Sequence, residues 1–258
     1  MARSATVRGL LTWGAILTRY ALAWWFPSVC IECQTPVFPY EMICKTCRYR
    51  VPRVSMPVCI KCGKPLVASG VDIHYRGLCP QCLLRPLVLD GVRAWALMDE
   101  PVRRWIHTMK YRGAARVADR LATWMAQDME DWIRVMGIEA ITFVPLHPRR
   151  YRERGYNQAK RLARRLAQRW QLPCVVTLRR VQYEGPQVGR SGSERWENVQ
   201  QAFTAIHPRI GRRFSVWLIV DDVYTTGATL HACTPVLKRA GARHVYGLCI
   251  ATTPAVDL

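Results

Sequence analysis

Beyond residue 86 the apolar positions alternate between two patterns, short unbroken runs and stripes with three-four spacing. The runs are 91–97 (GVRAWAL), 139–144 (EAITFV), 174–178 (CVVTL), 216–220 (VWLIV) and 244–251 (HVYGLCIA), each of strand length. Between them, residues 115–136 carry Ala118, Leu121, Trp124, Met125, Met129, Trp132, Ile133 and Met136 at helical spacing, and Gly137 stops the pattern. Residues 157–170 form a second stripe, with Ala159, Leu162, Ala163, Leu166, Ala167 and Trp170 on one face. Lys160, Arg161, Arg164, Arg165 and Arg169 occupy its other face. A third helix spans 228–240 and ends at Gly241, while 145–156 reads as a loop. Apolar strands that alternate with helices predict an α/β fold, a parallel sheet covered on both faces. Ligands of such sheets collect at the carboxyl ends of the strands.

Before residue 86 the pattern is different, with short stretches punctuated by proline. The composition boundary falls at 85–90 and predicts three parts: an N-terminal amphipathic helix (1–28), a Cys-rich module (29–86) and the α/β domain (87–258). Eight of the eleven cysteines form four Cys-x-x-Cys pairs, Cys30/Cys33, Cys44/Cys47, Cys59/Cys62 and Cys79/Cys82. A knuckle of this kind lets both thiolates of one tight turn reach a single ion, so two four-cysteine zinc sites are expected, closed and structural. Spacing leaves the pairing open between adjacent knuckles and a crossed arrangement, first with third and second with fourth. The same ligands also suit an iron–sulfur cluster. Cys174, Cys233 and Cys249 sit singly in apolar segments and read as core residues.

Residues 10–26 are apolar and aromatic, but Arg19 interrupts them, no cleavage site follows, and 17 residues is short for a bilayer span. The reading is a buried or surface helix without a transmembrane span, in a cytoplasmic protein. Trp13, Trp24 and Trp25 keep weak membrane association as the second reading.

Charge narrows the class of partner. Lys and Arg total 38 against 18 Asp and Glu, a net +20, with 32 arginines among the basic residues. The arginine skew can arise from the nucleotide composition of a gene, but the net charge still favours phosphate-bearing partners and argues against cation transport.

The strongest chemical signal is VWLIVDDVYTTGAT at 216–229. A buried strand delivers Asp221 and Asp222 to the sheet edge, and a hydroxyl-rich turn then opens a helix. Backbone N–H groups, the helix dipole and Thr225, Thr226 and Thr229 converge on one anion, and Gly227 permits close backbone approach. This stretch resembles the phosphoribosyl-pyrophosphate (PRPP) signature of type I phosphoribosyltransferases. The resemblance implies that Asp221 and Asp222 hold the ribose hydroxyls, that Thr225, Thr226, Gly227, Ala228 and Thr229 hold the 5-phosphate, and that magnesium accompanies PRPP.

A second stretch, PLHPRRYRERGYNQA at 145–159, occurs with KYRG at 110–113, QVGRSGSERWEN at 187–198 and the cysteine knuckles. Together they resemble the ComF (ComFC) family of competence-associated proteins over essentially the whole chain. The loop after the first sheet strand binds the diphosphate of PRPP in the transferases, which makes Arg149 and Arg150 the diphosphate candidates here. His147 is read as a structural loop residue or an additional donor. Arg149 to Arg165 hold eight basic residues and one acid. They are either a solvated helix face or a track for single-stranded DNA along Lys160, Arg161, Arg164, Arg165 and Arg169, joined by Arg179, Arg180, Arg190 and Arg195. The expected function is binding of PRPP or a sugar phosphate and of single-stranded DNA during natural transformation, with DNA-uptake or recombination proteins as partners. The alternative is an active phosphoribosyltransferase whose acceptor is unidentified.

Overall fold

The computed structural model describes residues 28–38, 41–66, 77–84, 87–110, 114–182 and 202–253. The expected N-terminal helix, Tyr111 to Gly113, and Arg190 and Arg195 with the segment around them lie outside the described residues. Among the described residues, no helix is long and apolar enough to cross a membrane. The chain divides into two compact units, Met1–Val51 and Pro52–Leu258.

In the first unit, strands β1 (Ser28–Val29) and β2 (Pro36–Val37) pair antiparallel, and the short helix α1 (Lys45–Tyr49) follows. Cys30 and Cys33 from the turn after β1 meet Cys44, which caps α1, and Cys47 within it. The second unit opens with the other group, Cys59, Cys62, Cys79 and Cys82, the last of these within α2 (Pro80–Leu84). This group packs on β3 (Gly91–Leu97). The Val92 amide donates to the Lys61 carbonyl at 2.7 Å, and Arg93 Nη1 donates to the Ile60 carbonyl at 3.3 Å. All four sulfurs belong to the same buried cluster as Leu89, Val92, Trp217 and Ile219. The compact units therefore divide at Val51 and Pro52, whereas the composition changes near residue 86. Composition records where proline-punctuated stretches end, and contact records where the chain packs.

After β3 come α3 (Val102–Met109), α4 (Ala115–Val135), β4 (Ala140–Phe143), α5 (Pro148–Arg154) and α6 (Gln158–Trp170). Then follow β5 (Leu178–Arg180), β6 (Phe203–Ala205), β7 (Val216–Tyr224), α7 (Ala228–Arg239) and β8 (His244–Thr252). Strands β3, β8, β7 and β4 lie in that order in one wholly parallel sheet. All four residues of β4 and the run from Trp217 to Val220 are buried, so both faces of the sheet are covered. Helix α6 packs on β4, β7 and α4, while α7 packs on β8 and on β6.

Two sequence expectations need correction, and one helix has no counterpart among them. Helix α3 was not anticipated, although its apolar residues Val102, Trp105, Ile106 and Met109 are buried at helical spacing. Its eight residues are too short for periodicity to stand out. The expected loop at 145–156 contains α5, which His147 caps by accepting from the Arg149 amide, Pro148 opens, and Gly155 closes in the left-handed region (φ 77°). The expected strand at 174–178 touches β4 only at its start, where the Val175 amide donates to the Ile141 carbonyl at 2.8 Å. It then leaves the sheet, and β5 pairs antiparallel with β6 instead.

Candidate functional site

Register places the site. Strands β4 and β7 are neighbours, with Phe143 opposite Val220, and the Val144 amide donates to the Val220 carbonyl at 3.0 Å. The chain leaving β4 therefore starts beside Asp221 and Asp222 of β7. The two acids lie within the strand, because β7 runs on to Tyr224 and Asp221 pairs with Cys249 of β8. Asp221 Oδ1 accepts from the Asp222 amide at 2.9 Å. Lys110, just past α3, approaches Asp222 Oδ2 at 3.8 Å.

These residues line a cleft of about 310 Å³. Asp221, Asp222 and Thr229 form the β7 side. Leu146, His147, Arg150, Arg154, Asn157 and Gln158 form the β4 side, and Lys110 and Arg180 complete the rim. The cleft wall is built by the local capping chemistry of α5 and α6. Asn157 accepts from the Lys160 amide at 3.0 Å as the cap of α6, and its Nδ2 donates to the Val144 carbonyl at 3.0 Å. One side chain thus starts the helix and anchors the loop that precedes it. Tyr156 adds a tether, its hydroxyl donating to the Met109 carbonyl.

Burial, and then the charge of Asp222, pushes the Asp221 carboxyl well above its ordinary range, against the opposing pull of the Asp222 amide, Arg180 and Lys110. On the same side, Gly227 caps α7 in the left-handed region (φ 79°) and contributes no side chain. A Cβ there would sit 2.6 Å from the Tyr224 hydroxyl, so the turn is built for glycine. The Thr226 hydroxyl accepts from the Ala228 amide at 3.4 Å, and the first turn of α7 presents its remaining N–H groups as an anion-binding end.

Of the residues singled out from sequence, the cleft brings together Asp221, Asp222, Thr229 and Arg150, with His147 and with Arg180 from the expected DNA track. Thr225 and Thr226 are exposed on the turn, and Gly227 and Ala228 are buried under it. Arg149 points along α5 toward Glu153, at 3.5 Å, and does not line the cleft. Lys110, Arg154, Asn157 and Gln158 line it although pattern reasoning gave them no role. All four lie in stretches that carried the family resemblance, the last three in 145–159 and Lys110 in KYRG at 110–113, which a distant helix brings to the cleft.

A second cleft, of about 350 Å³, is lined by Tyr151, Tyr156, Lys160, Arg161, Arg164 and Arg165, with Gln168 and Asn157. Asn157 borders both clefts. Arg169 faces a separate groove beside Trp170.

The cysteines form two groups of four by adjacent knuckles, which removes the crossed pairing. Within each group the sulfurs all lie within 4.8 Å of one another. A tetrahedral ion with Zn–S bonds of about 2.3 Å spaces its ligands about 3.8 Å apart. The Cys33–Cys44 and Cys62–Cys79 sulfur pairs stand at 3.6 Å, so both groups fit zinc. Backbone amides support the sulfurs, as where the Cys44 amide donates to Cys30 and the Cys79 amide to Cys59. All four protein ligands are present in each group, so these are structural zinc sites and neither offers an open position for chemistry.

Comparison with known proteins agrees with this division of labour. The double zinc ribbon domain matches residues 21–83, and the phosphoribosyl transferase domain matches residues 151–255. The chain is 30% identical to the DNA utilization protein YhgH of Escherichia coli K12, over 88% of this chain and 98% of that protein. It is 28% identical to competence protein F of Haemophilus influenzae, over 86% of this chain and 96% of the relative. Competence protein ComFC of Bacillus subtilis is 25% identical over 79% of this chain and 80% of its own length.

Proposed function

The chain belongs to the ComF family of competence-associated proteins, and on that premise we propose that it binds PRPP or a related sugar phosphate, together with single-stranded DNA, during DNA uptake and natural transformation. The observation that carries the reading is the single cleft in which Asp221, Asp222 and Thr229 face Arg150 and Arg154. Its two sides suit the two ends of one molecule. The acids accept from the ribose hydroxyls, the N-terminal turn of α7 receives the 5-phosphate, and the guanidinium groups fork onto the diphosphate. Asp222, half-buried at the edge of the cleft, offers magnesium an oxygen of the kind it takes beside phosphate ligands. When bound, the ion neutralises charge on the diphosphate.

Single-stranded DNA belongs to the neighbouring basic cleft. Its cations contact phosphates without reading bases, and Tyr151 and Tyr156 supply aromatic surface on which bases can stack. DNA-uptake or recombination proteins would act on the strand so held.

The test is calorimetric titration with PRPP and magnesium, with and without a single-stranded oligonucleotide, followed by mass analysis of the mixture. Binding of both ligands without release of pyrophosphate is expected. Released pyrophosphate would instead make the protein an active phosphoribosyltransferase, and failure to bind PRPP with magnesium present would remove the ligand assignment.

A further inference from the structure

We propose that Gln158 is a neutral hydrogen-bond donor to the phosphate oxygens of the ligand at the β4 side of the cleft, a role that rests on the sugar-phosphate reading above. Gln158 opens α6, is only 2% exposed, and lines the cleft. Its carbonyl oxygen accepts from Arg154 Nη1 at 3.4 Å. A guanidinium can only donate, so this contact fixes which end of the amide faces Arg154 and which end faces away. The Nε2 end is buried and finds no acceptor among the described residues. Buried donors are nearly always satisfied, and one left open at the wall of a cleft points to an acceptor that arrives with the ligand.

The surroundings say what kind of acceptor. Arg150 and Arg154, which line the same cleft, only donate. His147 has already committed Nδ1 to the Arg149 amide at 3.2 Å. The carboxylates stand across the cleft on β7. The β4 side therefore presents mainly donors, and the group that satisfies it is rich in acceptors and carries negative charge. A phosphate or diphosphate meets both conditions, whereas a ribose hydroxyl accepts too but carries no charge to answer the guanidinium groups. At 3.4 Å the Arg154 contact is long, so it holds the amide only weakly against a closer acceptor.

The experiment measures binding of PRPP, inorganic pyrophosphate and ribose 5-phosphate, each with magnesium, to the full chain and to its Gln158→Met and Gln158→Glu variants. Methionine keeps the bulk and removes the donor, so pyrophosphate and PRPP should each weaken about tenfold, as for one hydrogen bond to a charged acceptor. Glutamate should weaken them further by repulsion, and both variants should bind ribose 5-phosphate within about twofold of the parent. Should neither variant fold, the side-chain amide proton resonances of Gln158 in the parent protein must move on addition of pyrophosphate. The proposal is overturned if pyrophosphate binding is unchanged in the variants, if ribose 5-phosphate is lost in parallel with it, or if those resonances stay still. If the parent chain binds none of the three compounds, the sugar-phosphate reading itself fails, and this role fails with it.

Discussion

Arg161 grips Asp119 through two parallel bonds, Nε to Oδ1 at 2.9 Å and Nη2 to Oδ2 at 2.6 Å, joining α6 to α4. Arg165 adds bonds to the same two oxygens, at 2.9 and 3.3 Å. Burial alone would raise the Asp119 carboxyl, but the hydrogen bonds from both arginines outweigh it and hold the group below its ordinary range. Two members of the basic stripe therefore spend donors inside the protein, and Lys160, Arg164 and Arg169 are better placed to meet an external phosphate.

The expected consequence is measurable by salt titration of single-stranded DNA binding. Asp119→Asn removes the internal anion and should steepen the slope of log affinity against log salt, by about 0.7 for each phosphate gained. Arg164→Ala with Arg169→Ala should flatten the slope more than Arg161→Ala with Arg165→Ala. Equal effects of the two pairs would mean that the Asp119 fork opens on binding.

Gly227→Ala should cost about 1–2 kcal/mol of stability from its left-handed backbone alone, and should abolish binding of ribose 5-phosphate. Adding Tyr224→Phe should not rescue it, because the ring carbons Cε2 and Cζ would still lie 2.8 Å from the new methyl group. Recovery of binding in the double variant would show that the hydroxyl alone sets the turn.

Asp221 makes a prediction about pH. A carboxyl whose folded value is raised gives stability that is whole below the ordinary carboxylate range and is lost as pH rises toward the raised value. Asp221→Asn cannot ionise, so its melting temperature should exceed that of the parent by a margin that grows from pH 4 to pH 8, while PRPP binding weakens. A margin that shrinks with pH would contradict the buried-acid reading. Sites that are tuned for ligands commonly carry this kind of cost in stability.

The two zinc sites should differ in lability. Cys33 is exposed and Cys44 half-buried, whereas Cys59, Cys62, Cys79 and Cys82 are all buried within the cluster that also holds Trp217 and Ile219. A competing chelator should remove about half the metal quickly with little change in tryptophan fluorescence. The rest should leave slowly and only as the second unit unfolds, because those cysteines are part of its core. Release of both ions at one rate would argue that burial does not protect the second site.

Much of this was legible along the chain because the forces involved are local or periodic. The stripe from Ala118 to Ile133 appears as α4, the run from Val216 to Val220 as the central strand, and Gly241 as the stop of α7, since hydrophobic period and glycine geometry operate over a few residues. The adjacent acids and the turn after them were equally plain. Helix α5 was missed because its caps, His147 and Gly155, enclose seven residues with no buried face.

Order along the chain suffices for the parallel α/β class, the four cysteine knuckles and the acid pair followed by an anion-binding turn, because each is written in neighbours or in a short period. Packing settles which knuckles share an ion, that the second group belongs to the core beneath β3, and that Lys110 reaches Asp222 across more than a hundred residues of chain. It also decided that Asp119 occupies Arg161 and Arg165, and that Gln158 is left with an open donor beside Arg154. One cause underlies all of these. Hydrogen bonds and ion pairs depend on distances of a few ångströms, and for residues far apart in sequence those distances are set by packing and not by the order of the residues.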